Sequence, residues 1–86
     1  MIPLGMKRNE ALIAIASEAS AVDAKYGPFA SMHEAYGVLA EEVAELFEAI
    51  RMRQSDTQRA PSIEREAIDV AAVALRIVEQ CRQTSR

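Results

Sequence analysis

The sequence predicts an all-α protein, a three-helix protomer that completes a four-helix-type bundle core by association with further copies. Three observations carry that expectation. Half of the 86 residues are hydrophobic, yet Trp is absent and Phe and Tyr contribute only two each, so the core must be built from Ala, Val, Ile, Leu and Met, a helical palette. Apolar residues recur at three- and four-residue intervals in three separate stretches, which is the period of one helix face. A single copy of so short a chain buries only a little over roughly 60% of its unfolded surface, so self-association is expected.

Residues 1–8 read as an irregular arm punctuated by Pro3 and Gly5. Asn9 is placed to cap the first helix, with Glu10 in its favourable first turn. Leu12, Ile15, Ala16, Ala19, Val22 and Tyr26 then mark an amphipathic helix of about 16 residues, which Gly27-Pro28 ends. Ser31-Met32-His33-Glu34 matches a capping box. From there a second helix is expected to about Arg53, carrying Ala35, Val38, Leu39, Val43, Leu46, Phe47 and Ile50 inward. Residues 54–60 are polar and aperiodic, a loop, and Pro61 suits the first turn of a third helix running from Ser62 to about Gln83. Between Ala67 and Leu75 only Asp69 is charged; a helix apolar on every side is buried on every side, so part of it is expected to face another subunit. The chain thus reads as one domain over residues 9–83, with residues 84–86 frayed.

Several function classes are disfavoured. A net charge of −3 and the lack of any Lys/Arg run argue against a nucleic-acid surface. No apolar run, Val70 to Leu75 included, approaches the roughly 20 residues that span a bilayer, and no signal peptide is expected from the first residues. The single cysteine, Cys81, fits a reducing, cytoplasmic setting.

The chemistry concentrates in Glu41-Glu42-Val43-Ala44-Glu45 and Glu66-Ala67-Ile68-Asp69. Residues three apart are neighbours on a helix, so Glu42 pairs with Glu45 and Glu66 with Asp69. Glu42 falls among Ala35, Val38, Leu39, Leu46 and Ala49, and Glu66 among Val70, Val73 and Ile77, positions that a solvated carboxylate avoids. If the two helices pack through these faces, four acids converge, and at an effective dielectric near 20 two charges about 6 Å apart repel by roughly 3 kcal/mol. A cation or a proton must offset that. An all-oxygen set suits Mg²⁺ or Mn²⁺, whereas di-iron bundle sites need Glu-x-x-His pairs, and the one histidine lies elsewhere. Magnesium so held takes its remaining ligands from water and substrate phosphates.

The order EExxE, then twenty residues, then ExxD resembles the signature of the MazG-like all-α nucleoside triphosphate pyrophosphohydrolases, in particular their small phage-type and mobile-element members. The resemblance spans roughly residues 25–81 and includes Lys25-Tyr26-Gly27-Pro28-Phe29 and His33-Glu34. It implies Mg²⁺-dependent hydrolysis of a nucleoside triphosphate to the monophosphate and pyrophosphate, Mn²⁺ being a possible substitute. It also implies metal ligation by Glu42, Glu45, Glu66 and Asp69, catalytic proton or water handling by Glu41 or Glu45, and a dimer or dimer of dimers. Lys25, His33, Tyr36 and Arg76 are the substrate-binding candidates; Arg76 lies seven residues after Asp69 on nearly the same helix face. With no Trp for a base pocket, broad specificity is expected.

Each assignment has a simpler rival. Glu41, Glu45 and Glu48 also suit a solvated helix face, Glu34 is explained by capping, Tyr26, Phe29 and Tyr36 by packing, Arg76 by a salt bridge and Cys81 by its small size. The rival function is a non-catalytic, oligomeric helical interaction module; a hydrolase of a phosphoribosyl nucleotide would share the metal chemistry.

Overall fold

The structure, a computed structural model, describes residues 4–84. It contains α1 (Leu4–Tyr26), α2 (Met32–Ile50) and α3 (Arg59–Thr84), and no strand among the described residues. The predicted three-helix, all-α class is therefore observed. Several boundaries differ from those expected.

The first helix starts at Leu4, so Asn9 lies inside it rather than capping it. Leu4, Met6, Lys7 and Arg8 are among the better helix formers, and the cost of Gly5, about 1 kcal/mol, does not outweigh them. Residues 1–3 of the expected arm and residues 85–86 of the expected fray lie outside the described residues, while Thr84 still belongs to α3. At the other end of α1, Gly27 adopts φ 72° and donates its N–H to the Asp23 carbonyl at 2.8 Å; this left-handed residue closes the helix at little steric cost.

The capping box forms with one change. Ser31 is extended and its Oγ accepts from the Glu34 N–H at 3.1 Å, while the Glu34 carboxylate reaches one residue further back, to the Ala30 N–H at 3.1 Å. The second helix stops at Ile50, short of Arg53, because the Arg59 guanidinium donates two hydrogen bonds to the Ile50 carbonyl, at 2.9 and 3.2 Å. That cap also explains the early start of α3: Asp56 accepts from the Gln58 N–H at 2.8 Å and its carbonyl from the Arg59 N–H at 3.1 Å. Pro61 keeps its expected place in the first turn.

The third helix is the spine. Helices α1 and α2 both pack on it, with no close backbone approach to each other among the described residues. Ala19, Ala35, Ala49 and Ala72 are buried along with Val73 and Phe29, and Val38, Leu39 and Ile77 close over the cluster of Phe29, Ala35 and Val73. The arrangement is open: the radius of gyration is 14.6 Å, against about 12 Å for a compact chain of this length. Accessible surface is 6719 Å², where about 5,000 Å² would be usual for this mass.

Openness overturns part of the expected inward face. Leu12 and Tyr26 of α1, Val43, Phe47 and Ile50 of α2, and Ala67, Ala74 and Val78 of α3 are exposed. Each outer helix has one neighbour and can bury only the stripe that meets it. On α2 the residues left over, Tyr36, Val43, Phe47 and Ile50, fall on a second stripe at the same three- and four-residue rhythm once Ala40 is included.

The α1–α2 turn is held to α3 by polar side chains as well as by the packing of Phe29 with Val73 and Ile77. Arg76, only 5% exposed, donates to Asp23 at 2.6 Å and to the Gly27 carbonyl at 2.8 Å, with its guanidinium 4.3 Å from the centre of the Phe29 ring. One turn on, Gln80 accepts from the Phe29 N–H and donates to the Phe29 carbonyl, both at 2.9 Å. Arg76→Met is therefore expected to cost about 2 kcal/mol, the scale of a charge-assisted bond lost, because Asp23 is half-exposed and can be rehydrated. Urea denaturation measures this; an unchanged midpoint would mean that the turn holds without the guanidinium.

Candidate functional site

Because α1 and α2 stand apart on α3, a cleft of about 410 Å³ lies between them. Its composition changes along its length. Glu18 of α1, Glu41 and Glu42 of α2 and Asp69 of α3 supply acids; Val22, Val38, Ala72 and Val73 supply an apolar lining; Tyr26, Gly27, Pro28 and Phe29 bring in the turn, beside Arg76. The cleft is thus acidic toward the middle of the helices and aromatic at the α1–α2 turn.

Beside the acidic end, Glu42, which lines the cleft, meets Glu45 of α2 and Glu66 of α3, which do not, each offering one carboxylate oxygen within 4.8 Å of the others. Helical spacing places Glu42 and Glu45 side by side, and Ala35, Ala49 and Ala72, with little side-chain bulk, let the two helix backbones approach. Glu42 and Glu66 are half-buried, Glu45 is exposed. One oxygen of Glu42 and one of Glu66 are shut off from solvent and lack a hydrogen-bond partner, a costly state for a carboxylate.

The electrostatics follow from that crowding. Burial first, then the charges of Glu45 and Asp69, raise the Glu42 pKa from 4.5 to about 7. Glu66 is raised by burial, then by a hydrogen bond with Glu45 and by the charges of Glu45 and Asp69, with Arg65 opposing. Asp69 is raised by burial and by Glu18, against the pull of Arg65. Three acids that each resist ionisation in one place form a focus of negative potential that a cation would relieve. Hard oxygen donors of this kind suit a divalent ion such as Mg²⁺ or Mn²⁺.

Of the expected metal quartet, the structure brings Glu42, Glu45 and Glu66 together; Asp69 lines the cleft beside them. Glu41 also lines the cleft, exposed and outside the three-carboxylate group. The substrate candidates fare differently. Arg76 borders the cleft, but its guanidinium is engaged by Asp23 and Gly27, so it serves as the clasp of the turn instead of projecting toward the acids. Lys25 is exposed and lies over the Tyr26 ring. His33 and Tyr36 are exposed on α2 and, like Lys25, are not among the cleft residues. Glu18 was not anticipated. Its signal was present, since it stands three residues after Ile15 and four before Val22 on the apolar face of α1, the same kind of position that marks Glu42.

Compared with known protein families, with curated protein sequences and with solved structures, the chain matches none.

Proposed function

We propose that this chain is a Mg²⁺-dependent nucleotide pyrophosphohydrolase that converts a nucleoside triphosphate to the monophosphate and pyrophosphate. The observation that carries the reading is the meeting of Glu42, Glu45 and Glu66, with two solvent-excluded, unpartnered oxygens, where Glu42 opens onto a cleft that is aromatic at its other end. A polyphosphate bridged by cations suits the first, and a planar base suits the second. The resemblance of the EExxE and ExxD segments to the MazG-like enzymes supports the same substrate class.

Glu42, Glu45 and Glu66 would hold Mg²⁺, or Mn²⁺ in its place, with Asp69 lining the cleft outside that group; the ion would neutralise the polyphosphate and acidify water. Glu41 lines the cleft outside that group, where its carboxylate can take a proton from the attacking water. Glu45, exposed at the edge of the cluster, is the second candidate for that role. The apolar lining from Val22, Val38, Ala72 and Val73 limits competing water around the sugar and base.

The active form in this reading is a homo-oligomer, a dimer or dimer of dimers, in the cytoplasm, acting without nucleic acid or membrane. Among the described residues no helix is long and apolar enough to cross a membrane. The surface in excess of a compact monomer, about 1,700 Å², exceeds the roughly 800 Å² that each partner buries in a standard interface. Exposed Tyr36, Val43, Phe47 and Ile50 supply an apolar strip for that contact. Phe47→Glu, which sets a charge in the middle of the strip, is expected to shift sedimentation from an oligomer to a 9.4 kDa monomer. A wild-type chain that sediments as a monomer throughout the micromolar range removes the oligomer from the proposal. The same strip favours the second reading, a non-catalytic interaction module. Pyrophosphate release from a panel of canonical and modified nucleoside triphosphates, in Mg²⁺ and in EDTA, separates the two: metal-dependent release supports the hydrolase, and no release from any member leaves the module.

A further inference from the structure

Outside the carboxylate cluster, the most elaborately built contact in the chain is the one between Gln80 and Phe29. A side-chain amide that accepts from an N–H and donates to the carbonyl of the same residue, both at 2.9 Å, imitates the pairing of two strands across 51 residues of sequence. It demands one acceptor and one donor in a fixed orientation. Glutamate offers only acceptors and would set a carboxylate oxygen against the Phe29 carbonyl; an apolar side chain offers neither bond.

The two faces of this contact look in different directions. Phe29 contributes to the cleft lining, and Gln80 does not; Gln80 instead lines a separate hollow with Asp23, Glu79 and Arg82. Arg76 lies against the Phe29 ring and touches both spaces. Phe29 is 7% exposed and packs with Ala35 and Val73, under Val38, Leu39 and Ile77; its ring is seated by that packing, while its backbone, two residues after Gly27 at φ 72°, is oriented by Gln80.

We infer that Gln80 is a positioning residue for ligand recognition: by gripping the Phe29 backbone it orients the residue whose ring, with Tyr26, forms the end of the cleft taking a planar heteroaromatic base. This deepens the nucleotide reading and rests on it for the ligand class. Gln80 acts through Phe29 and does not touch the base. Selection at this end then comes from contact with the small exposed part of Phe29, which Arg76 backs, from stacking on exposed Tyr26 and from the width of the slot, which suits several bases and discriminates among them modestly.

Neutral nucleosides probe this end without engaging the acids. The test is an NMR titration of wild type with adenosine, guanosine, cytidine and uridine in EDTA, repeated with Gln80→Met, Gln80→Glu, Phe29→Leu and Gln80→Met/Phe29→Leu. In wild type the Phe29 amide and the Gln80 side-chain amide shift on titration, and the four nucleosides bind with a definite ranking. Gln80→Met weakens binding at least about fivefold and compresses the ranking, and Gln80→Glu does the same to a smaller degree. On the Phe29→Leu background, Gln80→Met causes no further loss, because coupled residues are non-additive. Nucleosides that leave Phe29 unperturbed, an unchanged ranking in both Gln80 variants, or additive losses in the double variant would each overturn the inference. Should Gln80→Met fail to fold, the wild-type titration and Gln80→Glu still decide. The nucleotide reading fails separately: nucleosides that bind at Phe29 in a chain that hydrolyses no triphosphate would sink catalysis and leave this end standing, and hydrolysis without perturbation of Phe29 would do the reverse.

Discussion

Glu66→Gln is expected to abolish metal-dependent pyrophosphate release, by at least about a hundredfold, two factors of ten at roughly 1.4 kcal/mol each. The same change should leave the fold intact. Glutamine keeps the shape of the side chain and removes a negative charge from a site where Glu42, Glu45 and Glu66 crowd within 4.8 Å. In EDTA at pH 8 the variant should therefore melt at or above the wild-type temperature, while losing the Mg²⁺-induced rise. That rise is about 2.7 kcal/mol for a ligand at a hundred times its Kd. Circular dichroism melting with and without Mg²⁺, together with the release assay, gives both readouts. A variant that retains Mg²⁺ stabilisation and turnover would place the metal elsewhere, and one that unfolds would make Glu66 a structural residue.

The second large effect is on pH. An acid whose pKa rises on folding holds its proton more tightly in the folded chain, so the folded state binds more protons than the unfolded one between the two pKa values. Stability then falls as pH rises through that window. For Glu42 it extends from 4.5 to about 7, and Glu66 and Asp69 shift in the same direction. Without metal, the protein is expected to melt higher at pH 5 than at pH 8, by at least about 4–8 °C, the shift that 1 kcal/mol makes in a domain of this size. Mg²⁺ competes with those protons, so its apparent affinity should climb as pH passes 7 and should bring the pH 8 melting point back up. Glu42→Gln should flatten much of the slope. A melting curve in EDTA that ignores pH between 5 and 8 would mean that these carboxylates are hydrated and ordinary.

Much of the helical framework was legible in the residues, because capping and periodicity are local. Ser31 caps where the Ser31-to-Glu34 pattern places it, Gly27 closes α1, and Glu42 and Glu66 lie half-buried on the apolar faces that their neighbours define. What failed was non-local. Periodicity marks Val43 and Phe47 as apolar-face residues, but whether a neighbour covers them depends on the number of helices that reach them, and among the described residues α3 is the helix that packs on α2. Arg76 sits in register with Asp69 along α3, so it read as a phosphate ligand; its partner, Asp23, is 53 residues away, and no spacing rule announces that pair. The end of α2 was misjudged for the same reason, since its cap comes from Arg59. Asn9 was a different error: a good cap residue does not start a helix when better helix formers precede it. Glu18 needed only the rule already applied to Glu42.

Two walls resting on one spine without meeting have a consequence for variation. Substitutions on the cleft side of α1 and on the cleft side of α2 alter its width from opposite banks, and neither bank has to be repacked when the other changes. Effects couple through a shared cavity, so Val22 on one bank and Val38 on the other set its width jointly, and a pair of changes there has to be read against the single ones. The seams where the helices meet have no such latitude, since Ala72 and Val73 of the spine, Ala19 of α1, and Ala35 and Ala49 of α2 are buried in them. Diversity in this architecture belongs to the banks of the cleft, and constraint to the seams.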